Sequence, residues 1–163
     1  MRVKEAMNRN PLKIRDSATV KEAAEMMALQ QSGDLVVVEE GGDVVGMLGA
    51  EEILRLLIPG FDEIAEGGAY PTQLRPQRRS SDPLPHAKVR EVMRRVEVPL
   101  DPEQSLEIAL GLLLKGKGRT LPVLSGGRLA GSLSTADVAR SLMWRDRVSP
   151  ARLQPQEERR KRT

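Results

Sequence analysis

Two hydroxyls and a carboxylate stand together in Ser134-Thr135-Ala136-Asp137, where a predicted helix begins. That spacing allows two kinds of chemistry. Ser134 and Asp137 can satisfy the helix's own orphan N–H groups as a capping box. Alternatively, the hydroxyls and the backbone N–H groups at the positive end of the helix dipole can hold an anion. The four residues alone leave both open. Catalytic chemistry is harder to assemble. The chain has no cysteine, so it lacks a thiol nucleophile and a thiolate metal site. His86 is its one histidine and falls in a Pro-rich stretch, where a solvated imidazole is expected. The pairs Glu39-Glu40 and Glu51-Glu52 are sequence neighbours whose side chains diverge on a strand or helix, so they form no carboxylate dyad. No Walker-type phosphate loop is present. Recognition rather than catalysis is expected, with no metal.

The elements that must position these residues occur twice. Val3-Lys4-Glu5-Ala6-Met7 returns 86 positions later as Val89-Arg90-Glu91-Val92-Met93. Leu12-Lys13-Ile14 meets Val98-Pro99-Leu100, and Leu35-Val36-Val37-Val38 meets Leu121-Pro122-Val123-Leu124. After the glycine pairs Gly41-Gly42 and Gly126-Gly127 the offset falls to 85, so Gly46-Met47-Leu48 meets Gly131-Ser132-Leu133. Two copies are too few for a solenoid and predict a pseudo-two-fold pair. Each copy reads as strand, helix, strand, hairpin, strand, helix. In the first, Thr19-Val20-Lys21-Glu22 is a capping box, and Val20, Ala23, Ala24 and Met27 make one apolar stripe. Leu35 to Val38 has the β-branched character of a strand buried on both faces, and Gly41-Gly42 supplies the turn. Glu51 to Ile58 is a predicted helix ended by Pro59-Gly60. In the second copy a helix starts at Ser105, Thr120 to Leu124 and Arg128 to Leu133 are strands, and Val138 and Leu142 turn inward on the last helix. Crossover helices make one strand pair parallel and the hairpin adds an antiparallel partner.

A repeat of about fifty residues buries too little apolar surface to stand comfortably alone, so a shared core is expected. The boundaries read as a first unit over 1–58, a Pro/Gly-rich linker over 59–88, a second unit over 89–145 and a basic tail over 146–163. Phe61 and Ile64 either extend the preceding helix past the proline or pack on the other copy. The net charge is +3, with Arg75, Arg78 and Arg79 in the linker and Arg159-Arg160-Lys161-Arg162 in the tail. Phe61, Tyr70 and Trp144 are the whole aromatic set, too few for a base-stacking platform, which argues against nucleic acid. No apolar run reaches the roughly 20 residues of a membrane span, and no signal-peptide core follows Met1. The expected location is the cytoplasm.

This ordered, doubled set resembles a tandem pair of cystathionine-β-synthase-type (CBS) domains, a Bateman module. The matching pieces are Val-x-Glu-x-Met before each unit, Leu121-Pro122-Val123, the Gly-rich hairpin, and Gly131, Ser134 and Asp137 in the Gly-x-x-Ser-x-x-Asp tail. The resemblance implies an α/β (α+β) sandwich of two βαββα-type units packed through their sheets, commonly a homodimer, with two related clefts between the units. It also implies a stand-alone regulatory module that senses AMP, ADP, ATP or S-adenosylmethionine and signals through a partner protein or oligomer. Carried over residue by residue, Asp137 would meet the ribose hydroxyls, while Ser134, Thr135 and Arg119 would meet phosphate. Thr120, Leu121 and Pro122 would lead into the strand floor, and Val98 and Leu100 would cover adenine. A dimeric scaffold whose basic tail contacts nucleic acid or an acidic partner is the alternative.

The first copy departs from that set. Gly33, Gly49 and Glu52 stand where the second copy has Arg119, Ser134 and Asp137. One competent site, built mainly on the second copy, is therefore expected.

Overall fold

The structure is a computed structural model and describes residues 1–58, 60–67, 86–116 and 120–145. Arg119, most of the linker with its arginines, and the basic tail lie outside the described residues.

Local sequence signals account for the elements of the first repeat. β1 (Lys13–Arg15) is followed by α2 (Val20–Gln30), after the short helix α1 (Val3–Ala6). At the start of α2 the Glu22 backbone N–H donates to Thr19 Oγ1 (3.2 Å), and the Thr19 N–H donates to Glu22 Oε2 (2.7 Å). The Thr19 N–H and the Thr19 hydroxyl both donate to Glu22 Oε2, which favours the charged carboxylate and holds the Glu22 pKa below its ordinary value. β2 (Asp34–Val38) runs parallel to β1, and β3 (Val44–Gly49) returns antiparallel to β2, giving the order β1-β2-β3. α3 (Ala50–Leu57) follows directly. Gly60 at φ +71° then breaks the helical path, so α4 (Phe61–Ala65) is a separate helix rather than an extension of α3. Arg55 reaches across that break to Asp62 (2.8 Å) and lies 5.4 Å from the Phe61 ring centre.

The second repeat carries α5 (Val89–Val92), α6 (Leu106–Lys115), β4 (Leu121–Ser125), β5 (Arg128–Leu133) and α7 (Thr135–Arg145). β4 and β5 pair antiparallel across Gly126-Gly127, both at positive φ, as a two-residue hairpin requires. The strand expected at Val98-Pro99-Leu100 shrinks to a single parallel bridge, Leu100 to Val123. Proline is the reason. In the first repeat the Val36 N–H donates to the Leu12 carbonyl (2.9 Å). The matching donor in the second repeat would be Pro122, which has no N–H, and Pro99 and Pro102 leave further gaps.

The cores are crossed rather than shared. Val3, Ala6 and Met7 are buried with Leu100, Leu106, Ala109, Leu113, Val123, Leu133 and Val138, all of the second repeat. Val89 is buried with Ile14, Val20, Ala23, Leu35, Val37, Leu48 and Ile53 of the first. Backbone bonds repeat the exchange. The Val3 N–H donates to Gln104 and the Leu106 N–H to Met1 (3.0 and 2.9 Å). The Val89 N–H donates to Ala18 and the Val20 N–H to Ala87 (2.8 Å each). Asn8 and Ser132 exchange both backbone bonds, as do Arg94 and Met47. Each repeat thus completes its core with the leading turn of the other, which makes two small cores mutually dependent. Leu35, Val37 and Leu48 face the helices, while Val36, Met47 and Ser132, the last two paired by repeat position, are buried on the sheet faces turned to the clefts. Among the described residues no helix is long and apolar enough to cross a membrane.

Candidate ligand clefts between the repeats

The exchange decides which residues share a cleft. The first cleft, of about 370 Å³, takes Ser134, Asp137, Thr120 and Ser132 from the second repeat. Its other wall is Asn8, Pro11, Leu12, Ser32, Asp34 and Val36 from the first. Asp137 sits in the first turn of α7. Its Oδ2 accepts the Ser134 N–H (3.0 Å) and the Ser134 hydroxyl (2.7 Å), while the Asp137 N–H donates to Ser134 Oγ (3.2 Å). The capping box is therefore formed. It does not remove Asp137 from the cleft: it fixes the carboxylate on the wall with one side chain oxygen directed to the cap. Oδ1 receives Arg140 Nη2 at 3.3 Å, from an exposed side chain that restrains it weakly.

The second cleft is the pseudo-symmetric counterpart. A space of about 540 Å³ is lined by Val98, Leu121, Pro122, Lys115, Arg95 and Arg94, among others. A smaller space of about 210 Å³ lies around Gly49, Glu52, Asp34 and again Arg94. Arg94 is common to both and stands between them. Its Nη1 donates to Glu52 Oε2 (2.9 Å), and its Nη2 donates to Asp34 Oδ1 (3.1 Å) and more distantly to the Thr120 carbonyl (3.5 Å). Thr120 Oγ1 in turn donates to Asp34 Oδ2 (2.9 Å). Asp34 and Thr120 are the same position in the two repeats, so this bond lies where the pseudo-two-fold relation brings equivalent residues into contact.

The residues singled out from sequence are thus divided. Ser134, Asp137 and Thr120 meet in the first cleft, whereas Val98, Leu121 and Pro122 lie in the second. Leu100 is in the core, with its N–H donated to Pro122 and its carbonyl accepting from Leu124. Thr135 is half-buried at the start of α7 and lines neither cleft. The resemblance alone places Asp137 with the apolar floor of its own repeat. Leu12 and Val36, the 86-residue counterparts of Val98 and Pro122, stand opposite it instead. Asn8, Asp34 and Arg94 also line the clefts, outside the set expected from sequence. For Asn8 and Arg94 a signal was available: each is the residue after its copy's Val-x-Glu-x-Met. Among the described residues no cluster of three or more His, Cys, Asp or Glu is placed to hold a metal ion.

Comparison with known proteins agrees with the doubled architecture. The CBS domain family pattern matches residues 3–59 and again 89–143. No curated protein matches the chain in sequence. Among solved structures, CBSX2 in complex with AMP is 22% identical over 88% of this chain and 97% of its own, with a TM-score of 0.68. The CBS-domain protein ATU1752 from Agrobacterium tumefaciens is 21% identical over 86% and 92%, with a TM-score of 0.64. The hexameric CBS-CP12 protein from bloom-forming cyanobacteria is 25% identical over 88% and 73%, with a TM-score of 0.63. With the family pattern met twice and the fold shared, this chain belongs to the CBS domain family and carries its two domains as a tandem pair.

Proposed function

We propose that the first cleft binds an adenosine-containing ligand and that the protein is a regulatory sensor. The observation that carries this is Asp137, held by its capping box on the wall of a cleft whose other wall belongs to the opposite repeat. A fixed carboxylate beside two vicinal hydroxyls is a sound reader of ribose. Leu12 and Val36 offer an apolar surface for adenine, and Ser134 and Thr120 offer hydroxyls to the polar end. Arg119, next to Thr120 in sequence, is retained as a proposed phosphate partner. A volume of about 370 Å³ falls at the low end of the range for small-molecule sites. That CBSX2 was solved with AMP supports the ligand class. A ligand seated there would touch both repeats at once. Its binding would favour one relative setting of the two, which is how occupancy becomes a signal to a partner protein.

Calorimetric titration with AMP, ADP, ATP and S-adenosylmethionine tests this. Saturable heat and a thermal upshift with at least one of the four are expected; silence with all four would refute the adenosyl ligand.

We also propose a homodimer. Leu54 and Leu57 on α3 and Leu142, Met143 and Trp144 on α7 are exposed, Trp144 at 85%, on helices that occupy equivalent places in the two repeats; Leu142, expected to turn inward with Val138, faces outward instead. Light scattering on the full chain should return twice the chain mass, and conversion to monomer by Trp144→Glu would place the interface on α7.

A further inference from the structure

We propose that Arg94 shuts the second cleft to a ribose-bearing ligand by occupying it from within. This rests on the ribose role given to Asp137, because the claim concerns the equivalent acid, Glu52. Three of the positions that differ between the clefts surround the acid: Asn8, Ser134 and Asp137 in the first, Arg94, Gly49 and Glu52 in the second. The structure makes these three differences one device. The Glu52 carboxylate, 6% exposed, accepts both the Gly49 N–H (2.7 Å) and Arg94 Nη1 (2.9 Å) on its Oε2. The second guanidinium nitrogen goes to Asp34, so one cation from the leading segment of the second repeat joins two carboxylates of the first.

Gly49 follows from the same packing. Its φ of −105° suits any residue, so backbone freedom is not why glycine is there. A Cβ at Gly49 would stand 2.7 Å from Glu52 Oε2, 2.9 Å from Asp34 Oδ1 and 3.1 Å from Arg94 Nη1. The serine that the other cleft uses would press on all three groups, so these ion pairs must shift to admit it. A ribose approaching Glu52 meets a guanidinium already hydrogen-bonded to it. That guanidinium is tethered to the chain and loses no association entropy in staying. The fold therefore builds two seats and its own side chain takes one.

Two measurements test this together. Isothermal titration with AMP should give one equivalent per chain for the wild type. The variant Gly49→Ser/Glu52→Asp/Arg94→Asn, which copies these three residues of the first cleft into the second, should give two. Two equivalents in the wild type, or one in a folded triple variant, overturns the closure by Arg94. The second measurement needs no ligand: urea unfolding of Arg94→Gln, Glu52→Gln and the double variant. Each single change should lower the folding equilibrium constant about tenfold or more, because Arg94→Gln strands the buried Glu52 carboxylate and Glu52→Gln leaves the half-buried Arg94 with Asp34 alone to pair its charge. The double should lose at least about fivefold less than the product of the singles. Additive losses overturn the internal ion pair, and this cycle decides alone if the triple variant does not fold. Absence of binding by wild type with AMP, ADP, ATP and S-adenosylmethionine alike would refute the ribose role of Asp137, while the cycle still decides whether Arg94 holds Glu52.

Discussion

Replacing Gly131 with valine will detach the leading segment of the chain from the second sheet and destabilise the fold by about 3 kcal/mol. A Cβ at Gly131 would lie 2.5 Å from the Asn8 carbonyl oxygen and 3.1 Å from Met7 Sδ. The oxygen is backbone and cannot turn aside. Asn8 is held there by two bonds exchanged with Ser132, 2.8 and 2.9 Å, so relief requires the bridge to open. Opening it draws Val3, Ala6 and Met7 out of the second core. For a chain of this size that loss corresponds to a fall in Tm of roughly 6–12 °C. Gly111→Ala is the matching control, since that glycine lies in α6 with nothing within 4 Å of its Cβ position, and alanine there should be neutral or slightly stabilising. Urea unfolding checks both. An unchanged midpoint for Gly131→Val would show that the crossed segment does not hold the second repeat together.

Asp137→Ala should weaken the adenosyl ligand by about 100-fold, close to 2.7 kcal/mol, if its carboxylate receives the ribose hydroxyls, since hydrogen bonds to a charged group carry that order of energy. The same change removes half of the α7 capping box, so stability should fall by about 1 kcal/mol as well. Ser134→Ala separates the two effects. It breaks the side-chain cap but leaves the carboxylate, and should cost similar stability with less than about tenfold in affinity. Calorimetry beside urea unfolding resolves the pair. Equal affinity losses in the two variants would assign Asp137 to helix capping alone.

The same residues show how far sequence reaches. Thr19/Glu22 and Ser134/Asp137 were legible as caps because the atoms that bond are three residues apart and need no tertiary partner. Gly126-Gly127 was legible because positive φ at two successive positions selects glycine. The four-residue helices α1 and α5 were not, since so short a turn is stable only against the core it enters. Nor was the loss of the second repeat's first strand, although Pro122 carried the reason in plain view.

The doubled unit, the apolar face of each element and the positions at which the two copies differ are all written in the order of residues. Periodicity says which face of a helix or strand must be buried. It does not say against which copy, and two nearly equivalent copies offer nearly equivalent partners. Only the tertiary structure chose the crossed solution, with Val3 in the second core and Val89 in the first. That choice placed Asp137 opposite Leu12 instead of Val98, and carried Arg94 to Glu52 across 42 residues of chain. The physical reason is that hydrogen bonds and charge pairs close in space, through Asn8–Ser132, Met47–Arg94 and Thr120–Asp34, where no local pattern records them.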